Sequence, residues 1–191
     1  MLFEVSTNLN QTHMTKSIKF NPKNIIKTRE EITTKKHNYW MNIRTTNLLP
    51  AKQAGMRKYD LKALYNEIMQ MSEKLVYIKG ALAAINNGET TFNKEAFKKT
   101  NNYNIFMATE YNEAIAQLKM VPTIDPATKS KKGGAAKMGK NEVFTSAKIA
   151  SLIKELEIKA LDYKNNMEEF NSKTEIDISS ISDMFKNELT A

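Results

Sequence analysis

The stretch DLKALYNEIMQMSEKLVYIKGALAAINNG, residues 60–88, carries apolar side chains at alternating intervals of three and four residues. The eight positions are Leu61, Leu64, Ile68, Met71, Leu75, Ile78, Leu82 and Ile85. This heptad spacing predicts a helix over about 61–87, roughly 40 Å long at 1.5 Å per residue. Asp60 is a suitable N-cap, and Asn87-Gly88 is a suitable C-terminal stop. We expect the eight residues, called the heptad seam below, to associate with partner helices.

A second stripe on the neighbouring face of the same helix predicts a second neighbour. It contains Tyr65, Met69, Ser72, Val76 and Ala83. A helix that is covered on two faces is more typical of a bundle than of an isolated two-stranded zipper. The predicted fold class is therefore all-α, an antiparallel helical bundle or coiled-coil-like hairpin.

Three further helices are predicted after residue 88. They lie at about 93–120, 142–170 and 179–189, each with apolar residues at helical spacing. The Asn-rich segment KKTNNYN, residues 98–104, leaves the continuity of the first of these helices open. Together with the seam helix they predict a helical bundle over residues 59–191.

Residues 1–58 have a different composition and carry the charge excess of the chain. They hold eleven Lys and Arg residues against three Glu residues, a difference equal to the whole formal net charge of +8. Pro22 and Pro50 interrupt this region, which favours a mostly extended, basic N-terminal arm. Thr28 and Glu31 have the spacing of a capping box, which predicts the start of a short helix within the arm.

The segment GGAAKMGKN, residues 133–141, has the spacing of a phosphate-binding loop. No apolar strand precedes it, and Asn141 stands where a magnesium-binding hydroxyl is needed. We therefore expect a basic Gly/Lys loop between helices at 127–141 and no nucleotide site.

The composition gives no reason to expect an enzyme, a metal or a cofactor. Cysteine is absent, and the two histidines, His13 and His37, lie in polar surroundings without an acidic cluster. No apolar run is long enough to cross a membrane. We expect a non-enzymatic protein of the cytoplasm, or of a virion if the chain is viral.

Two functions fit these features. The first is a structural or assembly protein, possessing a bundle that mediates subunit association in a homo- or hetero-oligomer and a basic arm that docks on an acidic neighbouring surface. The alternative is a nucleic-acid-binding accessory protein that contacts phosphates through the arm and the lysine loop. The candidate contact residues for both are Lys16, Lys19, Lys23, Lys27, Arg29, Lys35, Lys36, Tyr39, Trp40, Arg44, Lys129, Lys131, Lys132, Lys137 and Lys140. Trp40 and the pair Leu48-Leu49 have a further interpretation, as anchors of the arm on the bundle or on another subunit.

Overall fold

The computed structural model describes residues 21–49, 53, 55, 57–124 and 142–177. These ranges contain five helices and no strand, so the prediction of an all-α protein is confirmed for them. The helices are α1 Pro22–Thr46, α2 Leu61–Asn86, α3 Lys94–Phe97, α4 Asn101–Lys119 and α5 Ser146–Lys173. The predicted loop at 127–141 and the predicted helix at 179–189 lie outside the described residues.

Helix α1 corrects the expectation of a mostly extended arm, which is wrong for Pro22–Thr46. Asn21 is the N-cap, and its side-chain oxygen accepts the N–H of Asn24 at 2.8 Å. Pro22 occupies the first turn, where the missing N–H would have no helical acceptor, so this proline starts the helix and does not break it. Thr28 is not a cap either, because it lies inside α1 and donates to the carbonyl of Asn24 at 3.0 Å.

Helix α2 has the ends that the sequence predicts. The Asp60 carboxylate accepts the N–H groups of Lys62 at 2.9 Å and Ala63 at 3.4 Å. At the other end Gly88 has a φ of 81°, and the N–H of Glu89 donates to the carbonyl of Ala84 at 2.9 Å. This left-handed glycine and six-to-one hydrogen bond form a Schellman motif, which satisfies carbonyls that the helix leaves without partners.

The chain between Lys94 and Lys119 is not one continuous helix. Thr100 caps α4 by accepting the N–H of Tyr103 at 3.3 Å, so the Asn-rich segment interrupts the pattern at 98–100. The interruption sets the short helix α3 against α2. There Phe97 lies so close to Gly80 that a Cβ atom at position 80 would come within 2.4 Å of its ring.

The described helices pack on a shared core, through contacts of α1 with α2, α2 with α4, and α4 with α5. The main cluster takes residues from all four long helices, among them Trp40, Ile68, Leu118 and Leu156. A smaller cluster of Val76, Phe97 and Met107 lies beside it. No long helix of the described ranges is therefore separate from the others.

Asn47, directly after α1, joins two distant parts of the chain. Its side chain is fully buried and donates to the carbonyl oxygens of Pro122 at 2.8 Å and Phe144 at 2.9 Å. It also accepts the N–H of Phe144 at 2.7 Å. The end of α1 thus holds both the segment that leaves α4 and the segment that enters α5.

Candidate functional site

The heptad seam lies partly inside the chain's own core. Leu61, Leu64, Ile68 and Met71 belong to the main cluster, and Leu75 is also buried. The last three members, Ile78, Leu82 and Ile85, are only half-buried. In the C-terminal half of α2 the buried stripe moves to Ser72, Val76, Gly80 and Ala84, which are spaced four residues apart. The first five seam positions are therefore covered by this chain, whereas the last three are covered in part.

Two residues predicted as partner or nucleic-acid contacts are buried in the core. Trp40 is 1% exposed, and its ring makes an edge contact with Tyr65 at 6.1 Å between ring centroids. Lys36 is 2% exposed. Their assignment as surface contacts is wrong, because α1 turns both side chains towards the other helices. For Trp40, packing within the chain is the interpretation that the structure supports.

Lys36 is the centre of a buried ion network that joins three helices. Its Nζ lies 2.6 Å from Oε2 of Glu110 and 3.0 Å from Oε2 of Glu113, both on α4. Lys79 of α2 binds the other oxygen of Glu110 at 2.8 Å. Burial alone would raise the pKa of Glu110, but the charges and hydrogen bonds of the two lysines outweigh it and hold the pKa below its usual 4.5.

Four other predicted contacts on α1 have acidic or sulfur-containing neighbours; they are Lys27, Lys35, Tyr39 and Arg44. Lys27 lies 3.8 Å from Glu31, and Lys35 lies 3.6 Å from Glu67, which also accepts the hydroxyl of Tyr39 at 3.1 Å.

Arg44 donates to the sulfur atoms of Met120 at 3.3 Å and Met41 at 2.8 Å. Lys23 is exposed, and Arg29 is half-buried. The other predicted contacts lie outside the described residues; they are Lys16, Lys19, Lys129, Lys131, Lys132, Lys137 and Lys140.

A groove of about 560 Å³ opens between α2, α4 and α5. Four half-buried tyrosines line it, with Met69 and Met107 beside them. The tyrosines are Tyr65, Tyr103, Tyr111 and Tyr163. The Tyr163 ring contacts the rings of Tyr103 at 5.9 Å and Tyr111 at 5.8 Å, measured between centroids. Three of the rings therefore form a continuous aromatic wall.

The hydroxyl groups of this wall stay protonated at neutral pH. Burial is the main cause that raises the pKa of Tyr65 and of Tyr163 to about 12. Burial also raises the pKa of Tyr103 and Tyr111, and the negative charge of Glu73 adds to the effect on both. The groove thus offers aromatic rings and hydroxyl groups that are neutral at pH 7.

Sequence reasoning did not identify the groove, although it recognised some of the residues. Tyr65, Met69 and Ser72 form part of the second stripe of α2, which predicts packing against a neighbouring helix. The residues that complete the groove lie at positions 103–111 and 152–163, more than thirty residues away along the chain. The available signal was a tyrosine on each of the three helical patterns.

No protein-family model, curated protein or solved structure matches this chain. The described helices include none with the length and apolar character needed to cross a bilayer. Within the same ranges, His, Asp and Glu residues do not gather in a group of three that could hold a metal ion.

Lowering the pH should reduce the contribution of Glu110 to stability. Because its folded-state pKa lies below the usual 4.5, this contribution is fully present above pH 4.5 and is lost as the pH falls through the folded-state value. We expect wild type and Glu110→Gln to differ most in free energy of unfolding near neutral pH and to converge in acid. Urea unfolding at a series of pH values measures the difference. A difference that stays constant down to about pH 2 would contradict the assignment.

Proposed function

We propose that this protein is a non-enzymatic structural or assembly component, an antiparallel helical bundle that associates with other protein subunits. The observation that carries the proposal is the heptad seam, whose spacing continues past the part that the chain itself covers. Ile78, Leu82 and Ile85 keep the period of the seam but are only half-buried. A partner helix seated there would complete the burial of a stripe that is already apolar.

A second apolar pair supports the same proposal. Ile158 and Leu161 of α5 are each 54% exposed. They lie on the exposed side of α5, away from Leu156 and Ala160, which are buried in the chain. Neighbouring exposed apolar side chains on one helix face are a candidate contact for another protein, although a single pair covers a small area. Association through α5 is therefore a second, weaker part of the proposal.

The basic arm has a smaller part in this proposal than its composition suggests. In the described residues of the arm, Lys36 is buried, and Lys27 and Lys35 each lie within 4 Å of a carboxylate. Docking of the arm on an acidic neighbour thus depends less on these three lysines than on the other basic residues of the arm, Lys23 and Arg29 among them. The nucleic-acid alternative loses Trp40 as a stacking residue, because its ring is buried.

Leu82→Asp should weaken self-association or association with a partner while the chain stays helical. A carboxylate at a half-buried position stays solvated in the separate chain but loses its hydration when a partner helix covers it. Light-scattering mass over a range of concentrations, with far-UV circular dichroism on the same samples, measures the two effects. Asn86→Asp is a matched control, since Asn86 is exposed at the end of the same helix and also gains one negative charge.

The outcomes separate the two functions. A mass that falls with Leu82→Asp but not with Asn86→Asp supports assembly through the seam. Equal masses for both variants and wild type at every concentration, in the presence and absence of other subunits, would refute it. Co-purified nucleic acid, seen as a raised absorbance ratio at low salt and lost steeply with added salt, would favour the alternative.

A further inference from the structure

We propose that the groove between α2, α4 and α5 binds an organic cation carrying an alkylammonium group. This inference is independent of the proposed assembly function, since it concerns a different face of α2. The groove has a volume of about 560 Å³, which lies within the range of roughly 300–1,000 Å³ typical of small-molecule sites.

The walls of the groove match the soft surface of an alkylated cation. Tyrosine rings attract ammonium groups through the negative faces of their π systems. Here Tyr163 and its two ring neighbours, Tyr103 and Tyr111, line one continuous surface. Met69 and Met107 add apolar, polarizable contacts for the methyl or methylene groups of the ligand. A small, strongly hydrated metal ion would gain little from such walls.

The charge of the groove is negative, although the chain as a whole is basic. Glu73 and Glu155 line it together with a single basic residue, Lys159. Lys159 binds Glu155 at 2.6 Å, so these two charges largely compensate each other. Within the described ranges no basic side chain lies within ion-pair distance of Glu73. Lys98 is close enough for Glu73 to contribute to its raised pKa, but the first cause of that rise is the hydrogen bond to Glu95 at 3.0 Å.

Ser72 provides a polar group without a partner at the same groove. The residue is 2% exposed and lines the groove, and its hydroxyl makes no hydrogen bond. Such a hydroxyl is costly to bury, because it has given up water without gaining a protein partner. Rotation of the Ser72 side chain towards the groove would let a ligand with a hydroxyl or carbonyl group near its ammonium satisfy this hydroxyl, while the cation lies between Glu73 and the tyrosine wall.

The test uses the methyl groups of the methionines as reporters. The full chain, labelled with ¹³C at the methionine methyls, is titrated with choline and followed by NMR. A parallel titration uses 3,3-dimethylbutan-1-ol, which has the shape of choline but no charge. We expect choline to shift Met69 and Met107 in a saturable way, and the neutral alcohol to shift them weakly or not at all.

Variants of two exposed glutamates provide the matched comparison. Glu73→Gln should lower the affinity for choline about tenfold, because it removes the uncompensated charge. Glu157→Gln should leave the affinity unchanged, since Glu157 is exposed on α5 and does not line the groove. A further titration uses Nα-acetyl-lysine methylamide, which mimics a lysine side chain of a partner protein. Comparison of its affinity with that of choline shows whether the groove prefers a lysine or a free cation.

The proposal is supported if either cation binds and Glu73→Gln shows the expected loss of affinity for it. The proposal is overturned if neither cation shifts Met69 or Met107, or if the neutral alcohol gives the same shifts as choline. It is also overturned if Glu73→Gln and Glu157→Gln bind equally well. The wild-type comparison of charged and neutral ligands does not depend on how any variant folds.

Discussion

Glu110→Ala is expected to lower the free energy of unfolding by about 3–5 kcal/mol, the loss typical when one member of a buried ion pair is removed. The Glu110 side chain is 3% exposed and binds Lys36 at 2.6 Å and Lys79 at 2.8 Å. Without it, the buried Lys36 ammonium has only the partly exposed Glu113 as a partner. Chemical unfolding followed by far-UV circular dichroism measures the loss.

Glu113→Ala is the matched control for this prediction. Glu113 also binds Lys36 and lies on the same helix, but its side chain is 47% exposed. Removal of a solvated partner should cost less than about 1 kcal/mol. The double variant Lys36→Met, Glu110→Met should recover much of the loss, because apolar side chains replace both buried charges together. Equal losses for Glu110→Ala and Glu113→Ala would show that the network is not buried as described.

Trp40→Ala is expected to destabilise the fold by about 3–5 kcal/mol, as large-to-small changes of buried aromatic residues do. Trp40 is 1% exposed and packs in the main cluster, with Tyr65 against its ring. The change would leave a cavity beside Tyr65 in the main cluster. Thermal and chemical unfolding by circular dichroism are suitable measurements, since the chain contains no other tryptophan.

Two comparisons show whether the effect comes from packing. Met41→Ala, at the neighbouring and 41% exposed position, should change stability by only about 0.5 kcal/mol. Trp40→Phe should cost less than Trp40→Ala, because it keeps most of the apolar volume and removes an indole N–H that has no hydrogen-bond partner. Wild-type stability in Trp40→Ala, together with reduced binding to nucleic acid, would instead identify Trp40 as a contact residue.

The elements predictable from sequence are those whose determinants are local. Helix α2 could be placed because its period, its Asp60 cap and its Gly88 stop all lie within one stretch of chain. The break before α4 was foreseeable as an alternative, since Thr100 and the asparagines after it compete for backbone N–H groups. The fold class needed nothing beyond such local patterns.

Two local signals predict the wrong structure for α1. Pro22 predicts a break, although proline is equally suited to the first turn of a helix. The charge excess favours an extended arm, although Ile25, Ile32, Lys36, Trp40 and Ile43 form a stripe with helical spacing. Lys36 stands on that stripe in an otherwise apolar position, and this was the available signal that it pairs with a buried acid.

The candidate groove depends on tertiary contacts that no single segment specifies. Its wall needs a tyrosine of α5 between two tyrosines of α4, and its charge depends on a glutamate of α2. Each of these residues also fits an ordinary amphipathic helix. Only the packing of the three helices shows that they line one space.

Because of the hydrogen bonds of Asn47, the packing of the helical core does not depend on the length of the segment that joins α4 to α5. One amide fixes the positions of Pro122 and Phe144, so these two points stay together whatever the number of residues between them. The entropy of closing a connection grows slowly, by about 0.6 kcal/mol for each doubling of its length. Sequence inserted or exchanged between Pro122 and Phe144 should therefore disturb the fold less than an insertion within α2. A new peptide segment placed between these two residues would then leave the core intact.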